Sequence, residues 1–313
     1  MGAFIDEIKR RAREDMKTIV LPESDDERVV DAARQIEKEG FANVILLTDR
    51  REKADEYART LFELRKEKGM TERQAAELMQ NPLYYAVMMV KMGDADGMVA
   101  GAAHSTSDTF RPALQILKTA PGSKLVSAFF IMFLDNKNLG ENGVFAFGDC
   151  GMNPNPNEKE LAEIAIATAD SFKMFIEKTP KVAMLSYSTY GSAQGELVDK
   201  VRNAVQLVRE KAPHLAVDGE IQLDAAVVPE IAAKKAPQNV LGGKANVLIF
   251  PDLQAGNIGY KMAERFAGAE AYGPLMQGIA APVNDLSRGC SAEDIVGVVA
   301  LTSIQAQKMP KRL

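Results

Sequence analysis

The sequence predicts an α/β protein built as two units with mainly parallel sheets, and three observations carry that prediction. Short apolar runs such as Thr18–Leu21, Asn43–Leu47 and Lys181–Leu185 alternate with longer segments of helical periodicity. The runs are rich in Val, Ile and Leu without clean polar alternation, as strands covered on both faces require. The chain has 313 residues, enough for two cores of ordinary size.

The elements follow in order. The N-terminal segment Met1–Asp15 alternates charged and apolar residues at helical spacing and lacks the features of a signal peptide, so a cytoplasmic location is expected. After the first strand, Ser24 followed three residues later by Glu27 predicts a capping box at the head of a helix running to Gly40. A second strand leads into a helix from Arg51 that closes at Lys68 with Gly69 as its cap. Arg65, Lys66 and Lys68 fall in its last turn, where cations complement the helix dipole, and on these grounds they read as a solvated helix end. Helices from Thr71 and Pro82 follow, the latter with a Tyr84, Tyr85, Met88, Met89 stripe that reads as core.

Asp96–Ala103 reads as a strand, and Lys124–Phe133 and Val144–Phe147 are further apolar runs. The polar loop Asp135–Gly143, with the Gly- and Pro-bearing stretch Gly151–Asn157, is the candidate domain crossing. Glu158–Lys178 is a long amphipathic helix, and beyond it Lys181–Leu185, Ala225–Val228, Asn246–Phe250 and Gly278–Val283 read as strands. The Gly191 loop lacks a P-loop lysine and no G-x-G-x-x-G follows a strand, so nucleotide fingerprints are absent.

Composition narrows the function. With 46% hydrophobic and 26% charged residues, and no apolar stretch near the ~20 residues of a membrane span, the chain reads as a soluble globular protein. A net charge of −5 argues against nucleic acid or an anionic membrane as partner, so an anionic ligand has to be held by a few focused arginines. Two cysteines, Cys150 and Cys290, provide no disulfide framework, and two distant histidines without paired cysteines provide no structural zinc site; no metal is expected.

Two stretches carry chemistry. In His104–Pro112, Ser105, Thr106 and Ser107 open a helix at a strand end, where free N–H groups and Arg111 suit an anion; the same residues also make a plain helix cap. His104 has a side chain suited to proton transfer and ranks below Asp294. In Pro282–Asp294, Ser287, Arg288, Cys290 and Asp294 stand between an apolar run and a final helix. Either Ser291 and Asp294 only cap that helix while Arg288 pairs with Asp285 or Glu293, or a hydroxyl, a guanidinium and a carboxylate share one site.

Taken together, Pro282–Asp294, His104–Pro112, Gly93–Gly97, Gly148–Pro154 and Gly256–Arg265 resemble the phosphate acetyltransferase family over essentially the whole chain, in its short form without an added N-terminal regulatory region. The resemblance implies two α/β domains around a cleft, similar to the isocitrate/isopropylmalate dehydrogenase-like architecture, with residues 1–140 plus 290–313 in the first and 141–289 in the second. It implies a homodimer, no tightly bound cofactor or metal, and acetyl-CoA, phosphate, acetyl phosphate and coenzyme A as substrates. It further implies that Asp294 takes the proton of the coenzyme A thiol, Ser287 bonds the acetyl oxygen and Arg288 stabilises the transition state, the last two also contacting coenzyme A. Arg65 and Arg111, with Ser105, Thr106 and Ser107, are implied to bind phosphate, and Arg265 coenzyme A, which reverses the reading of Arg65 as a solvated helix end. A phosphate butyryltransferase-like activity and a catalytically silent acyl-CoA binder are the alternatives. An acetyl-enzyme on Cys290 is the rival mechanism.

Overall fold

A computed structural model describes residues 2–47 and 51–309. The chain divides into two compact units, 1–121 with 279–313, and 122–278. The expected crossing at 140/141 lies inside the second unit, because the loop 135–143 joins two paired strands of one sheet. The expected return at 289/290 lies eleven residues beyond the observed break after Gly278, because the strand leading to the Ser287 turn belongs to the first unit's sheet.

In the first unit, strands β1 (Thr18–Leu21), β2 (Asn43–Leu46), β3 (Gly97–Ala100) and β10 (Val283–Asp285) form a wholly parallel sheet in the order β10-β3-β1-β2. Its helices are α1 (Ala3–Ala12), α2 (Glu27–Glu39), α3 (Ala54–Arg65), α4 (Glu72–Leu78), α5 (Pro82–Met92), α6 (Thr106–Ile116) and α12 (Ala292–Lys308). Val283 pairs with Met98, so β10 begins where the sequence suggested a strand ending. Residues 295–305 of α12 are all buried, against α1, α2 and β3, which explains why that helix is apolar on every side. Asn284 donates from Nδ2 to Thr302 Oγ1 at 2.8 Å and Gln305 Oε1 at 2.6 Å, a buried polar link that fixes the end of β10 against α12.

The cap of α2 differs from expectation. Asp26, two residues nearer the helix, accepts the Arg28 N–H, while Ser24 donates its hydroxyl to Leu47 O across the sheet edge. Gly69 caps the end of the third-helix region at φ +84°, as a left-handed terminus requires.

The second unit holds β4 (Ser127–Phe133), β5 (Val144–Gly148), β6 (Lys181–Leu185), β7 (Ala216–Ile221), β8 (Val247–Ile249) and β9 (Glu270–Gln277), in the order β7-β6-β8-β5-β4-β9. The run β7-β6-β8-β5 is parallel, and β4 pairs antiparallel with both β5 and β9. Its helices are α7 (Glu158–Ile176), α8 (Glu196–Lys211), α9 (Leu223–Val227), α10 (Pro229–Lys235) and α11 (Leu253–Ala267). The expected strand at Ala225–Val228 is instead largely α9, whose Ala225 and Ala226 fill the core beneath Ala183 and Leu248; a run of four apolar residues fits a buried helical turn as well as a strand. Among the described residues, no helix is long and apolar enough to cross a membrane.

Candidate active site

The carboxyl ends of β1, β3 and β10 converge on two loops, 101–105 and 286–291. The first is organised by Glu23, a residue that composition and spacing did not single out. Its Oε2 accepts the N–H groups of Gly101 at 2.8 Å and Ala102 at 2.9 Å, and its Oε1 those of Ala103 and His104 at 3.0 Å each. His104 Nδ1 lies 2.7 Å from the same Oε1. The backbone nest ahead of α6 is therefore filled by the chain's own buried carboxylate, and His104 is turned toward that carboxylate. Gly101 has φ +112°, and an added Cβ would stand 2.2 Å from Asp285 Oδ1, so only glycine fits between the strand ends.

The anion loop is correspondingly smaller than expected. Ser105 is the N-cap of α6, its hydroxyl accepting the Asp108 N–H at 3.2 Å and donating to Asp108 Oδ2 at 2.6 Å. Thr106 donates its hydroxyl to Asp285 Oδ2 at 2.6 Å. Ser107 stays exposed, and its N–H and that of Thr106 have no partner among the described residues. Burial pushes the Asp285 carboxyl up to about 6, against the pull of the Thr106 hydroxyl, and Asp285 Oδ1 has no hydrogen-bond partner among the described residues.

Arg111, one turn into α6, is 3.8 Å from Asp108 and largely exposed. Arg65 comes to the same neighbourhood from the end of α3: both guanidinium charges act on the Tyr84 hydroxyl, which burial raises and they lower. Tyr84 donates to Gln115 Oε1 at 2.9 Å. Arg65, Lys68, Gln74, Glu77, Tyr84 and Gln115 line a cavity of about 500 Å³, and Arg65 Nε is buried there without a partner among the described residues. The stripe expected to be core is core at Tyr85, Met88 and Met89, and at Tyr84 it turns toward this cavity.

In the second loop, Ser287, Arg288 and Gly289 are exposed on a turn closed by Cys290 N–H to Ser287 O at 2.9 Å. Ser287 Oγ accepts the Gly289 N–H at 3.3 Å. The Arg288 guanidinium makes no ion pair among the described residues, neither with Asp285, which accepts from Thr106, nor with Glu293. Asp294 completes a capping box: its Oδ2 accepts the Ser291 N–H at 2.8 Å and hydroxyl at 3.0 Å, and its N–H donates to Ser291 Oγ at 3.1 Å. Its Oδ1 takes no bond among the described residues and the residue is exposed, so the cap leaves one carboxylate oxygen uncommitted. No hydrogen bond joins Asp294 to Ser287 or Arg288. Burial pushes the Cys290 thiol up to about 11; the Arg28 charge lowers it, and Asp294, Asp26 and Glu23 raise it further.

Arg265 belongs to the second unit, near the end of α11, where it is mostly exposed and 3.6 Å from Glu264. Among the described residues, no group of three or more His, Cys, Asp or Glu side chains is placed to share a metal ion.

Parallel strand ends, an exposed Ser-Arg turn and a cavity lined by Arg65 and Lys68 all belong to the first unit of this α/β protein. A family model described as Phosphate acetyl/butaryl transferase matches residues 3–303. A phosphate acetyltransferase of Acetivibrio thermocellus is 57% identical over 327 aligned positions, covering 97% of this chain and 98% of its own. The crystal structure of a phosphotransacetylase from Streptococcus pyogenes has TM-score 0.93 at 42% identity, covering 98% of this chain and 100% of that one. A putative 4-hydroxythreonine-4-phosphate dehydrogenase from Salmonella typhimurium shares the fold alone, with TM-score 0.54 at 10% identity over 92% of this chain and 99% of that one. The chain belongs to the phosphate acetyl/butaryl transferase family.

Proposed function

We propose that the chain catalyses reversible transfer of an acetyl group between acetyl phosphate and coenzyme A, by direct attack of the thiolate. The observation that carries this reading is the exposed Ser287–Arg288 turn standing a few residues from the open Oδ1 of Asp294, in a chain whose relatives are named for this reaction. Asp294 takes the thiol proton. The sulfur–carbon bond then forms as the carbon–oxygen bond to phosphate breaks, with phosphate as leaving group. A free thiol has a pKa of roughly 8.5, so a positioned carboxylate raises the rate on the order of 10²–10⁴-fold. Ser287 and Arg288 neutralise the developing oxyanion and contact coenzyme A; removal of one such donor typically costs ~3–4 kcal/mol. Arg65 and Arg111, with the Thr106 and Ser107 amides and the Ser107 hydroxyl, bind phosphate oxygens, and Arg265 binds coenzyme A. Ser105 supports that loop as its cap.

The acetyl-enzyme alternative is disfavoured because the Cys290 thiol is buried and pushed up to about 11. No resident cofactor or metal is required by this chemistry, and a cytoplasmic location accords with its substrates. We also propose a homodimer formed through α11, whose Ile258, Met262 and Phe266 recur every fourth residue as an exposed apolar stripe.

Thioester formation by the purified chain tests the function, with acetyl phosphate and butyryl phosphate run in parallel and chelator present. Rapid acetyl-CoA formation that persists with chelator and exceeds butyryl transfer is expected. Turnover of butyryl phosphate alone would move the substrate to the longer acyl group, and coenzyme A binding without turnover would leave a silent binder.

A further inference from the structure

Every hydrogen-bond donor of Arg28 is committed, and the acceptors lie on three separate segments of the first unit. Nε donates to Asp26 Oδ1 at 2.9 Å, and Nη2 to Asp26 Oδ2 at 2.6 Å and to Ala102 O at 2.9 Å. Nη1 donates to Arg288 O at 2.8 Å and Cys290 O at 3.0 Å. A guanidinium has five N–H groups, and these five bonds use them all, leaving none for a substrate. The bidentate pair with Asp26 holds the fork in one orientation at the first turn of α2. From there the fork reaches the glycine-bearing loop at 102 and both carbonyls that flank Gly289.

The Ser287–Arg288 turn is otherwise lightly held. Ser287, Arg288 and Gly289 are exposed, and within the turn only the Cys290 N–H to Ser287 O and Gly289 N–H to Ser287 Oγ bonds are present. The Arg288 and Cys290 carbonyls point to the Arg28 fork and have no other partner in the described structure. Lysine does not replace this arrangement, since its three donors radiate from one point and do not span a carboxylate and three carbonyls.

We propose that Arg28 is a positioning residue for acetyl transfer: it fixes the Ser287–Arg288 turn against the 101–104 loop without touching substrate. The inference rests on the acetyltransferase reading of that turn. Misplacement of a reacting group by about 1 Å costs on the order of 10²-fold in rate. Arg28→Ala is therefore expected to lower kcat roughly 10–100-fold while KM for coenzyme A stays within about twofold, because Arg28 binds none of it.

The test combines kinetics with hydrogen exchange on the purified full chain. Arg28→Ala and Arg28→Lys should both lose kcat, and guanidinium ion at sub-denaturing concentration should restore part of the Arg28→Ala loss where methylammonium does not. Amide exchange in the peptide covering 286–291 should quicken in Arg28→Ala, with exchange in the second unit's β6 unaltered. A lower melting temperature with unchanged kcat would overturn the proposal by making Arg28 merely structural. A matched rise in KM for coenzyme A would overturn it by making Arg28 a ligand contact. If the parent chain shows no turnover, the acetyltransferase reading fails. The exchange measurement then stands alone: unchanged exchange at 286–291 would refute the clamp itself.

Discussion

Glu23→Gln is the sharpest perturbation of the site, because it keeps shape and removes only charge and acceptor capacity. The carboxylate accepts two backbone N–H groups on each oxygen, from Gly101 and Ala102 on Oε2 and from Ala103 and His104 on Oε1. A glutamine amide offers one oxygen and one NH₂. Placed either way round, the NH₂ faces two N–H donors that lose their acceptor. Turned toward the Oε1 position, which lies 2.7 Å from His104 Nδ1 in the parent, it still finds that nitrogen, which has to take the acceptor tautomer. A buried donor left unpaired costs about 1–3 kcal/mol, so losing the acceptor of the buried Gly101 and Ala102 N–H groups would cost about 2–6 kcal/mol, and the cheaper orientation, which leaves the part-buried Ala103 and His104 N–H groups, about 1–3 kcal/mol. Even the smaller cost is a measurable part of a typical domain stability of about 5–15 kcal/mol. Equilibrium unfolding in urea, followed by circular dichroism, measures it. A loss below about 1 kcal/mol would mean that the 101–104 loop does not depend on Glu23, and the description of that loop as a filled nest would be wrong.

Three further outcomes follow from particular side chains. The Asp285 carboxyl, raised from 3.8 to about 6, binds more protons folded than unfolded between those values, so its contribution falls as pH rises through that window. Asp285→Asn removes a cost of up to about 3 kcal/mol above pH 7, at about 1.4 kcal/mol per pH unit, while its Oδ1 still accepts from Thr106. The variant should melt higher than the parent at pH 8 and lose that advantage by pH 4; a difference independent of pH would refute the burial argument. Cys290→Ala should keep kcat within a few-fold, because a thiol at about 11 is thiolate to about one part in ten thousand at pH 7, and a loss beyond a hundredfold would revive the acetyl-enzyme. Phe266→Glu, at a side chain 83% exposed on α11, should convert a dimer to monomer in sedimentation without lowering the melting temperature. A parent that sediments as monomer would sink that interface.

Where local pattern and tertiary packing agree, the sequence was legible. Thr18–Leu21 and Lys181–Leu185 are strands at the expected residues, α5 begins at Pro82, and Ser291 caps α12 with Asp294. Legibility failed where long-range partners decide. In β7 the sequence Ala216–Ile221 carries Asp218 and Glu220, which look wrong for a buried strand until Tyr190, Arg209 and Arg202 supply their partners. In β9, Gly273 and Pro274 obscured a strand that pairs with β4 and, among the described residues, forms the sheet edge. Glu23 and Arg28 were hidden for the same reason: their partners lie 78 to 81 and up to 262 residues away, and near the head of α2 both resemble ordinary capping residues. The anion loop was readable as chemistry, but the occupant of its nest was not, because a carboxylate 78 residues upstream leaves no local trace.

The most direct test of the account is thioester formation from coenzyme A and acetyl phosphate by the parent chain and by Asp294→Asn, side by side. Asparagine retains an oxygen for the Ser291 N–H, so the helix cap survives and only the base is lost. The account predicts fast parental turnover, and in the variant a fall in kcat on the order of 10²–10⁴-fold with little change in KM for coenzyme A. Equal kcat in the two proteins would contradict it.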